Sequence, residues 1–259
     1  MQLKPSSHAG CQPRRRSVLQ TLAGLAAASA LPAWPEQKPT PTPTPAPLRI
    51  GVIGAGWLGG TVGRLWVRSG HQVMFASRNL DRVRDSLAGL GERALVGTPA
   101  QAADFGDVLL FAVPYDALPQ LGKDLAKALS NKIVLDACNP SPGSANTLTR
   151  QSETDGVGAL SARLLPGTRL VRAFSAVDAT AVEASYSQNE PSRRLGVPLA
   201  SDDTQALQTA AQLVRDAGCE PVIVGNLAAA RAFQRGGPGF RANTTAPELR
   251  RRMKLPANA

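Results

Sequence analysis

Gly54, Gly56 and Gly59 stand in G-x-G-x-x-G spacing directly after an apolar run, Leu48 to Ile53, and open an amphipathic segment. Glycines so placed between strand and helix do one kind of chemistry: they bring backbone N–H groups against phosphate oxygens. Gly54 permits a tight turn, Gly56 lets the backbone approach a pyrophosphate, and Gly59 lets the helix pack on the strand. A helix beginning near Trp57 then aims its free N–H groups and the positive end of its dipole at the anion. A second chemical feature lies where the next apolar run, Gln72 to Ala76, ends in Ser77-Arg78-Asn79. An NAD site would put Asp or Glu there, about 20 residues beyond the glycines, to accept from the ribose hydroxyls. A carboxylate would repel a 2′-phosphate, whereas Arg78 can pair with one through two N–H donors and Ser77 can add a hydroxyl. Arg82, one helical turn on, can reach the same anion. The sequence therefore predicts NADP in preference to NAD.

Acid–base equipment is sparse. Of two histidines, His8 lies in the leader, and His71 precedes the second strand, far from the expected nicotinamide. Ser175 has no histidine to make it a nucleophile. Asp136 is read as a local hydrogen-bonding group. Tyr115 is a candidate donor to a substrate oxygen, or a residue packing under the cofactor. No catalytic side chain is assigned. Cys138 and Cys219 read as buried free thiols, and no metal site is expected.

The elements that must position these residues alternate, as a parallel sheet requires. After the first two strands, Asp81 to Leu90 has helical spacing, Ala94 to Val96 is a short strand, and Pro99 to Ala103 a helical turn. Asp107 to Val113 is a continuous apolar run, the mark of a buried central strand, stopped by Pro114. Tyr115 to Leu129 reads as one helix and Lys132 to Ala137 as a strand ending at Cys138-Asn139-Pro140. Leu160 to Leu165 is helical, Arg169 to Phe174 a strand, and Val197 to Ala200 precedes a helix, Thr204 to Ala217, capped by Asp202 or Asp203. Glu220 to Val224 is the last strand, and Leu227 to Phe233 starts a final helix. One sheet of seven or eight strands holds all of this: a Rossmann-type, doubly wound, mostly parallel α/β fold in a single domain. Ligands of such sheets bind at the carboxyl ends of the strands. Val113 and Pro114 should therefore meet the nicotinamide end of the cofactor, and Tyr115, Asn139, Pro140 and Ser175 the substrate.

The chain has 259 residues and a formal charge of +10. Residues 34–230 carry eighteen basic and eighteen acidic side chains, so the excess sits at the two ends. A nucleic-acid partner is not expected. Residues 1–33 contain Arg15-Arg16 before an alanine-rich run, with Ala28-Ser29-Ala30 as a cleavage site, and read as a twin-arginine signal peptide with a periplasmic destination. That run is too short and too weakly apolar for a good transmembrane span, so no stable span is expected after cleavage. Residues 34–47 form a Pro/Thr-rich linker suited to extended polyproline geometry. Residues 48–235 form the NADP-binding domain. Residues 236–259 form a basic tail, read as a solvated terminus.

In IGAGWLG, the strand ending Ser77-Arg78, LFAVPYDAL, KIVLDACNP, RLVRAFSAV, VPLASDD and AGCEPVIVGNLAAAR, the chain resembles the NADP-dependent oxidoreductases that reduce a deazaflavin coenzyme with NADPH. The NADP-binding domain of pyrroline-5-carboxylate reductase is a more distant likeness. The resemblance covers residues 48–235. It implies that Ala55, Gly56, Trp57 and Leu58 contact the pyrophosphate, Ser77, Arg78 and Arg82 the 2′-phosphate, and Val113 and Pro114 the nicotinamide side. Trp57 is bulky where the motif varies, so it narrows or covers the site. Residues from Gln234 onward depart from the family pattern, as does export. The expected activity is hydride transfer between NADP(H) and a flavin-like or deazaflavin acceptor, a small-molecule partner. The alternative is a non-catalytic NADP(H)-binding sensor or accessory module. A compact homodimer through the C-terminal helix is compatible with the chain.

Overall fold

A computed structural model describes residues 46–141 and 147–256. The leader and the linker up to residue 45 lie outside the described residues. The sheet is built from β1 (Arg49–Ile53), β2 (Gln72–Ala76), β3 (Ala94–Gly97), β4 (Val108–Phe111), β5 (Ile133–Asp136), β6 (Arg169–Arg172), β7 (Gly196–Ala200) and β8 (Glu220–Gly225). Its order is β3-β2-β1-β4-β5-β6-β7-β8. The first six strands run parallel in the 3-2-1-4-5-6 order of a dinucleotide-binding sheet. β7 reverses direction against β6, where Arg172 pairs with Ala200, and β8 follows β7 in parallel.

Among the described residues, the helices are α1 (Trp57–Arg68), α2 (Leu80–Ser86), α3 (Pro99–Phe105), α4 (Leu118–Asp124), α5 (Ala126–Leu129), α6 (Thr147–Asp155), α7 (Val157–Leu164), α8 (Ala179–Tyr186), α9 (Thr204–Asp216) and α10 (Ala246–Arg252). They cover both faces. Val62, Leu65 and Trp66 of α1, Val182 of α8 and Leu213 of α9 pack on one side of the sheet. Ala102 and Ala103 of α3, Leu118 of α4, Leu129 of α5 and Leu160 of α7 pack on the other. The central strands are buried on both faces, which is why their sequences are continuously apolar. Trp66 anchors the first layer: its Nε1 donates to Leu213 O at 2.7 Å, and its ring meets Phe174 edge-on at 5.9 Å.

Several elements differ from the sequence expectation. Tyr115 to Leu129 is not one helix but a 3-10 turn, α4 and α5, broken at Leu125, whose φ of −103° and ψ of 6° leave the helical ladder. α6 and α8 were not anticipated: TLTRQSETD is largely polar, and ATAVEASY has small residues where an apolar stripe would be read. The final segment, Leu227 to Ala232, is 3-10 rather than α. The solvated-tail expectation for 236–259 is overturned over its described part. α10 buries Ala246 and Leu249, and with Met253 they close a third cluster over Phe233, Val222 and Ala200. Arg251 and Arg252 face solvent because the same short helix spends its apolar positions on that cluster.

His71 accepts from Leu48 N through Nδ1 at 3.1 Å, and its Nε2 lies 2.9 Å from an Asp216 carboxylate oxygen. It ties the start of β1 to the end of α9, at the opposite edge of the sheet from the carboxyl ends of the parallel strands.

Candidate dinucleotide site

The carboxyl ends of the parallel strands are brought level by ladder bonds that continue past them. Ala112 N donates to Ile53 O, Ala137 N to Phe111 O, and Ala173 N to Asp136 O. The glycine turn is fixed to the neighbouring strand, with Gly54 N and Ala55 N both donating to Ala76 O at 3.0 and 2.9 Å. These bonds place the turn beside Ser77.

Each glycine meets a different constraint. Gly54 has φ +104°, and a Cβ there would come 2.4 Å from Ala112 O. A Cβ on Gly59 would come 2.2 Å from Gly54 O, so the helix packs on the strand only without a side chain. At Gly56 a Cβ would find no atom within 4 Å. Nothing in the protein demands glycine there; the open space beside an uncapped helix N-terminus is what a phosphate group would occupy. The residues therefore fit a dinucleotide.

Two clefts flank the turn. One, of about 580 Å³, runs along Gly54, Ala55, Gly56, Ala76 and Pro99 to Ala112, Val113, Pro114, Gln120 and Leu121. It is mainly apolar and of ligand size. The other, of about 660 Å³, lies between α1 and the β2 end, lined by Gly56, Trp57, Arg64, Ser77, Arg78, Asn79, Arg82, Val83 and Ser86. Trp57 stands at its mouth with 73% of its surface exposed. Leu58 turns the other way and packs against the core. Arg64, Arg78 and Arg82 form no ion pair among the described residues, and no carboxylate lines the cleft. Asn79 also caps α2, because its Oδ1 accepts from Arg82 N at 3.0 Å. Ser77 Oγ accepts from Asn79 N at 3.3 Å, which shapes the same turn.

The expected substrate residues divide. Tyr115 is corrected: it is buried, with its hydroxyl 3.1 Å from Ser161 Oγ and directed at Val157 O. Burial pushes its pKa up to about 12, so the phenol stays protonated, and its hydroxyl is engaged by Ser161 and Val157 in the core instead of turning into the cleft. Asn139 and Ser175 are brought together, but by each other: Asn139 Nδ2 donates to Ser175 O at 2.6 Å. Asn139 Oδ1 accepts from Arg172 Nη2 at 3.1 Å. Ser175 is buried. Asn139 and Pro140 do line a small cavity of about 170 Å³, with Ser141, Thr149, Ser152, Glu153, Val157, Gln234 and Arg235.

Beneath these loops lies a buried ion pair that sequence reasoning missed. Arg172 Nη1 donates to an Asp136 carboxylate oxygen and to Cys138 O, and the other Asp136 oxygen accepts from Cys138 N. The pair is 1% and 0% exposed, so each charge depends on the other. An arginine inside the apolar run RLVRAF was the available signal; its partner belonged to another strand. Phe174, two residues on, holds φ +58°, a strained conformation for a bulky residue. Arg64 was also missed. It stands seven residues after Trp57, on the same helical face.

Residues 49–140 match the family described as NADP oxidoreductase, coenzyme F420-dependent. That match spans about a third of the chain, which is to that extent similar to NADP-dependent oxidoreductases. Across 186 residues it is 28% identical to metalloreductase STEAP3 of Rattus norvegicus, a match covering 72% of this chain and 36% of that one. The chain thus spans about a third of the length of that curated relative. A hypothetical protein from Sinorhizobium meliloti superposes with a TM-score of 0.63 at 22% identity, over 77% of this chain and 95% of that one. A protein from Arthrobacter sp. FB24, described as an F420-dependent NADP-reductase, gives 0.58 at 20% identity, over 71% and 88%. These structures share the fold. The matched span contains the glycine turn, the Ser77-Arg78 strand end and the Val113-Pro114 loop. It stops at Pro140, so β6 to β8 and α10 lie beyond it. No group of three metal-ligating side chains occurs among the described residues. None of their helices is long and apolar enough to cross a membrane.

Proposed function

We propose that this protein is an NADPH-dependent oxidoreductase exchanging hydride between NADP(H) and a planar flavin-like or deazaflavin acceptor. The observation that carries the proposal is the cleft holding three guanidiniums and no carboxylate, next to a glycine turn that leaves room for phosphate at Gly56. Bound nicotinamide supplies the hydride. The chain's own residues have simpler work. Backbone N–H groups at Gly56 to Leu58 hold the pyrophosphate, Ser77 and Arg78 select the 2′-phosphate, and Val113 with Pro114 gives an apolar wall that orients a flat ring and excludes water. Hydride transfer between two rings needs no side-chain acid, which agrees with the burial of Tyr115 and the remote position of His71. The cavity at Asn139 and Pro140 lies on the loop after β5, where an acceptor's polar edge would be read.

The Arg15-Arg16 leader supports a periplasmic site of action. Steady-state oxidation of NADPH with flavins, a deazaflavin, quinones and ferric chelates tests the activity. Turnover with a planar acceptor supports it, and tight NADP(H) binding with failure across the whole set contradicts it. That second result would favour a non-catalytic NADP(H) sensor.

A further inference from the structure

We infer that Arg64, on α1, is a specificity-determining residue that grips the ribose 2′-phosphate from the side opposite Arg78 and Arg82. The inference rests on the NADP reading and deepens it. Arg78 leaves the end of β2 and Arg82 the first turn of α2, so both approach the cleft from one wall. Arg64 comes from the other wall, two helical turns below the glycine turn. Its guanidinium does not extend into solvent. Nη2 donates to Thr61 Oγ1 at 3.2 Å, one turn back toward the helix N-terminus. Nη1 lies 3.4 Å from where a Cβ on Gly60 would stand, so the group lies back over Gly60, toward the turn. Gly60 is thus the residue the guanidinium lies over, and Thr61 the one that holds it there.

The charge balance makes the arrangement purposeful. Arg64 is half-buried and has no ion-pair partner among the described residues, and neither have the two arginines it faces. Three guanidiniums lining one cleft give it a positive potential that favours an anion. A 2′-phosphate is dianionic or nearly so at neutral pH. With three charged acceptor oxygens it can take charge-assisted donors from both walls at once, whereas a ribose hydroxyl offers only one neutral oxygen. The site is therefore a clamp across the α1–α2 cleft and not a single strand-end arginine.

The test uses 2′,5′-ADP and 5′-AMP, which differ only in the 2′-phosphate, titrated into the full chain, Arg64→Gln, Arg64→Lys and Arg78→Gln, with melting followed in parallel. Arg64→Gln should weaken 2′,5′-ADP by about tenfold or more and leave 5′-AMP within about twofold, with Arg64→Lys intermediate and melting unchanged. Equal loss of both ligands would overturn the inference, because the guanidinium would then serve the shared 5′-phosphate. No change at Arg64→Gln, while Arg78→Gln loses 2′,5′-ADP, would also overturn it and leave the NADP reading standing. If the unaltered protein fails to distinguish the two ligands, the reading and the inference fall together.

Discussion

At the residue scale, the glycine turn separates architecture from binding. Gly59 is required by its own neighbours, because a Cβ would strike Gly54 O at 2.2 Å. Gly56 is required by none of them. Gly59→Ala should therefore destabilise the fold by about 1–3 kcal/mol, visible as a fall of several degrees in Tm. Gly56→Ala should leave Tm within about 2 °C and weaken NADP(H) by about tenfold or more, since the methyl fills the phosphate space. Calorimetric melting and ligand titration of the two variants check this, and a large loss of stability at Gly56→Ala would refute it. The turn and the strand-end arginine were legible in the sequence because local spacing alone defines them. Tyr115 was not: a tyrosine after a strand-stopping proline reads the same whether it faces the cleft or, as here, sends its hydroxyl back to Ser161. Asn139 was half legible, since its position on the β5 loop follows from topology but its engagement by Arg172 and Ser175 does not.

At the scale of elements, the Asp136–Arg172 pair holds the ends of β5 and β6 in register beneath the loops at the carboxyl ends of the strands. Arg172→Met strands a buried carboxylate and should cost about 3–5 kcal/mol, while adding Asp136→Leu should recover a large part of it. Chemical denaturation midpoints of the single and double variants decide the point; an unchanged midpoint in the single variant would contradict it. A second junction ties β6 to α9, where Asp203 caps the helix and pairs with Arg169. The hydrogen bond from Arg169, then the N–H of Ala206, hold the Asp203 carboxyl well below its usual range. A depressed folded-state pKa means the stability is present at neutral pH and is lost as pH falls below about 4, the unfolded value. Asp203→Asn should accordingly flatten the decline of Tm between about pH 4 and pH 2 relative to the unaltered chain. The Asp203 cap was legible from spacing, but neither ion pair was, since each joins residues from different elements. The alternation of strands and helices was visible, and it was enough to give the parallel half of the sheet.

At the scale of the whole molecule, the sheet has two parts. β1 to β6 form the dinucleotide-binding half, while β7, β8 and α10 form an antiparallel extension closed by its own apolar cluster. A terminal segment rich in arginine, with only a few large apolar side chains, reads as a tail, which concealed α10. Its removal has a definite consequence. Leu249→Ala should cost about 2–5 kcal/mol, as for a leucine truncated in a core, and deletion from residue 236 should expose Phe233 and bring aggregation or loss of cooperative melting. If Leu249→Ala melts as the unaltered chain does, α10 is only laid on the surface.

The central claim is that the cleft beside the glycine turn selects NADP(H), and the measurement that tests it most directly is calorimetric titration of the protein with NADP+ and NAD+, repeated on Arg78→Ala. NADP+ should bind at least about tenfold more tightly than NAD+, and Arg78→Ala should remove most of that preference without changing NAD+ binding. Equal affinity for the two, or no binding of either, would contradict it and reduce the glycine turn to a feature of the fold.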